Sequence, residues 1–323
     1  MGTAMGAYLA QNGLLVDMVD AYEPHVRALN ETGAHILGRE EFTVPVRAIL
    51  PEQMEGIYDL VFLMTKQTAN RTVLGNLLSH LGPESVVCTL QNGVPEPFVA
   101  QIIGPERVVG GTMHWGATFR SPGISEVTSD IKRKREKNMI FFTVGEMDGT
   151  LTPRLEKIAQ VLSRMGRTEV STTLMDARWR KLLYNCCGSG MSAVCGSPYS
   201  CFLSGGKALD CLAHIAREVA LCAQADGIDL GEQLVGRLMD IPTAKTHFTA
   251  VYETAPDGKA SMLQDLEAGH LTEVDMLNGY VCTVGDRYGI DTPYNDAVVS
   301  IVHRMEKGEL PLSTDNLKYF PEN

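Results

Sequence analysis

MGTAMGAYLAQNGLLVDMVD, Met1–Asp20, is the stretch on which the fold turns. Its first half carries small residues suited to a closely packed helix, and Leu14–Asp20 is a β-strand-like run that closes on an acid. Helix, then strand, then acid are the second and third elements of a βαβ unit. Such a unit opens with an apolar strand and a G-x-G-x-x-G turn at the helix N-terminus. Gly2 fits the third glycine, and the first strand and two glycines would lie upstream of Met1. Two readings follow: the chain is N-terminally truncated, or Met1 is the true start and there is no dinucleotide site. The completeness of the downstream pattern favours truncation. In a doubly wound sheet the first strand is central, so its absence is expected to leave two neighbouring strands unpaired.

Working outward, DLVFLMTK (Asp59–Lys66) and SVVCTLQNG (Ser85–Gly93) are nearly continuous apolar runs, as strands buried on both faces require. Each ends in polar residues, Lys66 in one and Asn92 in the other. The carboxyl ends of parallel strands face the ligand crevice of an open α/β sheet, which makes both residues candidates for ligand contact. Asp20, at the end of its strand, suits the ribose hydroxyls of an adenosine and would repel a 2′-phosphate. Further strands are expected at Val108–Met113, Ile140–Val144 and Thr168–Thr172, with a helix over Leu151–Met165. The basic run Lys132–Lys137 reads as a solvated hairpin tip. The fold class is therefore α/β. A Rossmann-type doubly wound parallel sheet, its first strand apparently missing, fills residues 1–173, and an all-α domain fills residues 174–323.

At 323 residues the chain can build two cores, and a net charge of −11 argues against nucleic acid or an anionic membrane as partner. The eight cysteines form no C-x-x-C pair and read as buried reduced thiols. With no signal peptide and no apolar run of membrane-spanning length, the expectation is cytoplasmic. Scattered histidines give no metal site. A homodimer is left open, since any helix face could serve as an interface.

From Leu174 the pattern turns helical. LMDARWRKLLYNCCGSGMSAV places Lys181 and Asn185 four apart, on one helix face, and Ser189 continues that face if the helix persists. On spacing alone this is a solvent-exposed pair; apolar neighbours such as Trp179 and Leu182 argue for burial. Helices over Leu209–Ala225 and Asn295–Lys307 read as scaffold, and the tail LPLSTDNLKYFPEN as a surface strap. SMLQDLEAGHLTEVDMLNG, Ser261–Gly279, interleaves carboxylates, an amide and a hydroxyl with apolar residues. Leu271, Val274, Met276 and Leu277 suggest a helical stripe, and the spacing by itself describes a solvated acidic helix.

This last run resembles the C-terminal motif of ketopantoate reductases (2-dehydropantoate 2-reductases), matching at Ser261, Asp265, Glu273, Asn278 and Gly279. The resemblance extends to Lys66, to Q-N-G at Gln91–Gly93, and to K-x-x-x-N-x-x-x-N, where Ser189 replaces the second asparagine. It implies reduction of 2-dehydropantoate, a small 2-oxo acid, by a nicotinamide cofactor, at a site in the cleft between the domains. Lys181 would be the catalytic acid and Glu273 its orienting carboxylate or a ligand of the substrate hydroxyl. Asn185, Ser189 and Ser261 would hold the substrate, with Asn92 joining the substrate and cofactor sides. Gly2, Asp20, Lys66 and Asn92 would bind the cofactor. The family commonly carries a basic residue near Asp20 and uses NADPH; DAYEPH here favours NADH, and Arg27 is a weaker phosphate candidate. The Ser189 departure, with the segment Met113–Phe119, leaves open a sister dehydrogenase of another 2-oxo or 3-hydroxy acid. The missing glycines leave open a non-catalytic nucleotide-binding protein.

Overall fold

The structure, a computed structural model, describes residues 1–203 and 205–322. It divides into two compact units, residues 1–91 with 95–174, and residues 92–94 with 175–323.

The first unit begins with α1 (Gly2–Gln11), β1 (Asp17–Val19), α2 (Glu23–Thr32), β2 (Ala34–Gly38), β3 (Phe42–Val44) and β4 (Arg47–Ile49). Next come β5 (Leu60–Leu63), α3 (Asn70–Leu77), β6 (Val86–Thr89), α4 (Glu96–Ile103) and β7 (Val108–Met113). β8 (Ala117–Ser121), β9 (Ile124–Val127), α5 (Ile131–Glu136), β10 (Phe142–Gly145), α6 (Pro153–Leu162) and β11 (Thr168–Val170) complete it. β5, β6 and β7 are parallel neighbours, and the order β11-β10-β7-β6-β5 makes the main sheet, with β10 antiparallel to β7. Among the described residues β1 pairs only with β4, in a separate parallel two-stranded sheet. β1 and β5 lie in different sheets and do not pair. A side-chain bond spans this gap: Tyr58 Oη donates to Asp17 Oδ2 at 3.1 Å. Met18 is buried in one core cluster, against which Leu60, Phe62 and Met64 pack.

Two features of this unit differ from expectation. A third sheet, β3-β2-β9-β8, was not legible in the sequence. The basic run is a helix, α5, not a hairpin tip. Asp130 caps it by accepting the Arg133 N–H at 3.0 Å, and the strands on either side, β9 and β10, belong to different sheets.

The second unit is helical: α7 (Leu174–Tyr184), a π-helix at Asn185–Ser189, α8 (Gly190–Cys195), α9 (Ser200–Leu203) and α10 (Lys207–Ala225). α11 (Glu232–Met239), α12 (Ile241–Tyr252), α13 (Ser261–Glu267), α14 (Asn278–Tyr288) and α15 (Pro293–Glu306) follow. Its core gathers Trp179, Leu182, Leu183, Phe202, Leu212 and Phe248 among many others. Ser261–Gly279 is not one helix. α13 stops at Ala268, Gly269 turns the chain with φ +70°, and a short 3₁₀ turn at Val274–Met276 precedes α14. Leu271 consequently lies exposed instead of joining a stripe. The tail is also less peripheral than its polarity suggests, because Asn316 and Phe320 are buried; Asn323 lies outside the described residues. Asn316 is satisfied there by donating to the Val194 carbonyl at 3.1 Å and that of Pro311 at 2.9 Å. Among the described residues no helix is long and apolar enough to cross a membrane, and no cluster of residues is arranged to hold a metal ion.

Candidate active site

In the first unit the candidate residues collect where α1 starts and where β1 and β5 end. Gly2 is exposed at the first position of α1, and a Cβ placed there would lie 4.0 Å from Met64 Cβ. The helix N-terminus therefore sits beside the segment that leaves β5, in which Lys66 is exposed. The tighter approach belongs to a glycine that sequence reasoning passed over. At Gly6 a Cβ would overlap the end of the Met18 side chain, so Gly6 is what lets α1 lie on β1. Its signal was the four-residue spacing of Gly2, Gly6 and Ala10.

Asp20 follows β1 with its carboxylate exposed; its N–H donates to Ile49 O at 3.1 Å and its Oδ1 accepts the Tyr22 N–H at 2.9 Å. Nearby, His25 is fixed in its tautomer. Its Nδ1 accepts the Gly123 N–H at 2.9 Å, so Nε2 carries the proton and donates to Thr3 Oγ1 at 2.9 Å. Burial pushes the His25 imidazole below its usual pKa more than Asp20 raises it. This histidine is neutral at physiological pH and offers no positive charge beside Asp20.

At the end of β6, Gln91 ties two strand ends together. Its Nε2 donates to Thr65 O at 2.7 Å and Asn70 Oδ1 at 2.6 Å, and its Oε1 accepts from Thr89 Oγ1 at 3.2 Å. The backbone on either side of Lys66 is thereby referenced to β6. Half-buried Asn92 comes next, in a turn closed by Gly93 at φ +72°.

The chemistry of the second unit centres on α7. Lys181 is half-buried in its last turn, and Asn185 follows at the first position of the π-helix. Desolvation lowers the Lys181 pKa to about 8; Arg178 pushes the same way, and Glu273 opposes both. The sequence left that balance open, and burial wins it. Glu273 sits ahead of the 3₁₀ turn, its carbonyl accepting from Met276 N at 3.0 Å. Its neighbour Thr272 anchors the segment, binding Glu306 Oε1 through N–H at 2.7 Å and Oγ1 at 2.8 Å.

Ser189 does not simply continue the Lys181–Asn185 face. The wider π turn breaks the four-residue register, and Ser189 is buried with its Oγ accepting the Met262 N–H at 3.3 Å. It is thereby joined to α13, whose first residue is the exposed Ser261. Two further contacts grip the π-helix. Tyr252 Oη donates to Tyr184 O at 3.2 Å, and Asn278 Nδ2 donates to Cys186 O at 3.3 Å. Gly188 and Gly190 make room for these partners, since a Cβ at either would press on the Tyr252 ring or the Asn278 amide. Lys181 and Glu273 thus share one electrostatic environment, and Ser189 and Ser261 one backbone junction. Gly2 and Lys66 flank Met64.

Comparison with known proteins bears on both units. Residues 1–134 match the family model described as ketopantoate reductase PanE/ApbA, and residues 173–306 match ketopantoate reductase PanE/ApbA C terminal. The chain is 26% identical over 310 residues to a 2-dehydropantoate 2-reductase of Streptococcus pyogenes serotype M6, covering 95% of each. It is 28% identical over 331 residues to one from Mesorhizobium japonicum, covering 94% of this chain and 95% of that one. Among solved structures, D-mandelate dehydrogenase in a ternary complex with NADH and anilino(oxo)acetate superimposes with TM-score 0.82 at 24% identity over 96% of each chain. A PanE/ApbA family ketopantoate reductase from Ralstonia eutropha JMP134 gives 0.80 at 24% identity, over 94% of this chain and 95% of that one. At these identities the two structures speak for the fold.

Proposed function

This chain belongs to the ketopantoate reductase PanE/ApbA family of oxidoreductases, and from that premise we propose that it reduces 2-dehydropantoate to pantoate with a nicotinamide cofactor. The observation that carries the reading is Lys181, whose ammonium is desolvated but shares its surroundings with the Glu273 carboxylate. The bound cofactor would supply hydride to the carbonyl carbon of the 2-oxo acid. As that carbon is reduced, negative charge grows on the carbonyl oxygen. The Lys181 ammonium stabilises this charge and delivers the proton that completes the alcohol. Partial desolvation strengthens that stabilisation, and a pKa near 8 makes the proton easier to give up than one at 10.5. Glu273 favours the charged form of the group, against burial and Arg178, and accepts a hydrogen bond from the substrate hydroxyl. Asn185, Ser261 and Asn92 hold the substrate's polar groups. Ser189, whose oxygen already accepts from Met262, has its hydroxyl proton left to donate.

The first unit fits a dinucleotide. An exposed glycine opens α1 beside the β5 exit, where the helix N-terminus favours pyrophosphate, with Gly2 and Lys66 the residues to hold it. The exposed Asp20 carboxylate accepts the ribose hydroxyls. With His25 kept neutral, its surroundings favour NADH over NADPH. The division of labour follows the two units, residues 1–91 with 95–174 for cofactor and residues 92–94 with 175–323 for substrate and catalysis.

A second reading, reduction of another 2-oxo acid, draws on Ser189: a short, buried hydroxyl replaces a longer amide, which changes the size of group the site accepts. Turnover of NADH and NADPH with 2-dehydropantoate and with a panel of 2-oxo acids tests both. Faster consumption with 2-dehydropantoate than with any other acid supports the first reading. Preference for a bulkier acid replaces it with the second, and cofactor binding with no turnover of any acid removes both.

A further inference from the structure

Three buried polar side chains of the helical unit take no part in the chemistry above: Glu218 on α10, Asn278 at the start of α14 and Asn295 on α15. They are bonded in series. Glu218 Oε2 accepts the Asn295 Nδ2–H at 2.7 Å and the Asn295 backbone N–H at 2.9 Å, while its Oε1 accepts the Tyr294 N–H at 2.9 Å. Asn295 Oδ1 in turn accepts the Asn278 Nδ2–H at 2.9 Å. The same Nδ2 reaches the carbonyl of Cys186 at 3.3 Å, inside the π-helix and one residue after Asn185.

The series has a direction. Both Glu218 oxygens already act as acceptors of backbone N–H groups, so Asn295 turns its NH₂ toward Glu218 Oε2 and its oxygen toward Asn278. Asn278 must then present its own NH₂, which is the group the Cys186 carbonyl needs. The arrangement is costly, because two amides and a carboxylate leave water and Asn278 Oδ1 is left buried without a hydrogen-bond partner. Apolar side chains would pack these helices without that cost. What they could not do is hold one carbonyl of a widened turn in place.

We infer that Asn278 is a positioning residue, aligned by Glu218 through Asn295, which fixes the π turn and with it the direction in which Asn185 leaves the helix. The inference rests on the substrate-holding role proposed for Asn185. Glu218 touches neither substrate nor cofactor in this scheme and acts only through the two amides.

The test uses the full chain and three variants: Asn278→Ala, Glu218→Gln and the double substitution. Two readouts are taken, kcat with 2-dehydropantoate and NADH, and amide hydrogen exchange across residues 185–195. Asn278→Ala is expected to lower kcat on the order of tenfold while the NADH dissociation constant stays within about twofold. Because the two residues act in series, the double variant is expected to be no worse than Asn278→Ala alone. Exchange over residues 185–195 quickens about tenfold in each single variant, with α6 unchanged as an internal reference. Unchanged kcat in a folded Asn278→Ala protein, additive losses in the double variant, or unchanged exchange would each overturn the inference. If Asn278→Ala does not fold, Asn278→Ser takes its place in the same comparison. If the natural protein reduces no 2-oxo acid, the functional reading fails by itself. The exchange series then decides the relay alone, faster exchange supporting it and unchanged exchange overturning it.

Discussion

Tyr252 Oη donates to the carbonyl oxygen of Tyr184 at 3.2 Å, at the residue where α7 gives way to the π-helix. Its ring also fills the space that a side chain at Gly188 would need, the nearest ring carbon, Cζ, lying 2.8 Å from a Cβ built there. Tyr252→Phe removes one half-buried hydrogen bond and is expected to cost about 1 kcal/mol in denaturant unfolding. Gly188→Ala forces atoms together in a packed core and is expected to cost more, about 2–3 kcal/mol. A Gly188→Ala protein as stable as the parent would show that the turn can move away from Tyr252.

Lys181 sets the alkaline limit of the proposed reaction. With its pKa lowered from 10.5 to about 8, the ammonium is present below that pH and lost above it. The rate of reduction, as kcat/KM, is therefore expected to hold through neutrality and to fall roughly tenfold per pH unit above about 8. A profile that stays flat to pH 10 would remove Lys181 as the acid. Lys181→Ala should lose about 10²–10⁴-fold in kcat; near-parental turnover would likewise assign the proton to another group.

Asp20 is a test of cofactor choice that leaves the reacting atoms alone. Asp20→Ala removes the carboxylate that accepts ribose hydroxyls and repels a 2′-phosphate. The NADH-to-NADPH ratio of kcat/KM is expected to fall on the order of tenfold. An unchanged ratio would take Asp20 out of the cofactor argument.

Glu218 makes a prediction about stability. Burial raises its pKa to about 7, against the pull of the Tyr294 and Asn295 donors and helped by the nearby Asp296 charge. A carboxyl whose folded pKa lies above its unfolded value binds more protons when folded between those two values. Its contribution therefore favours folding at low pH and is lost as pH rises from about 4.5 to about 7. Glu218→Gln abolishes that slope, so the variant should gain on the parent protein across this window. Parallel stability curves from pH 4.5 to 7.5 would show that Glu218 is already ionised throughout.

What the sequence made legible was local. The small-residue helix and acid-ended strand at Met1–Asp20, the apolar runs that became β5 and β6, and the Lys181–Asn185 spacing each rest on neighbours a few residues apart. The strands β2, β3, β8 and β9 escaped because each is only three to five residues long, too short for a two-residue period to stand out in the sequence. Ser189 was placed on the wrong footing for a different reason. The four-residue rule assumes a regular helix, and the widening at Asn185–Ser189 depends on Tyr252 and Asn278, which are 68 positions from Tyr184 and 92 from Cys186. The Glu218–Asn295 bond joins residues 77 apart, and nothing in either neighbourhood announces it.

Asp20 and Lys66 take their places from different sheets. Asp20 hangs from the two-stranded piece, whereas Lys66 and Gln91 hang from the five-stranded one, and no ladder hydrogen bond ties β1 to β5. Tyr58 links the two by donating to Asp17 Oδ2, and Met18 packs in the cluster that Leu60 and Phe62 join. A ligand reaching from Asp20 to Lys66 would act as a rivet between them.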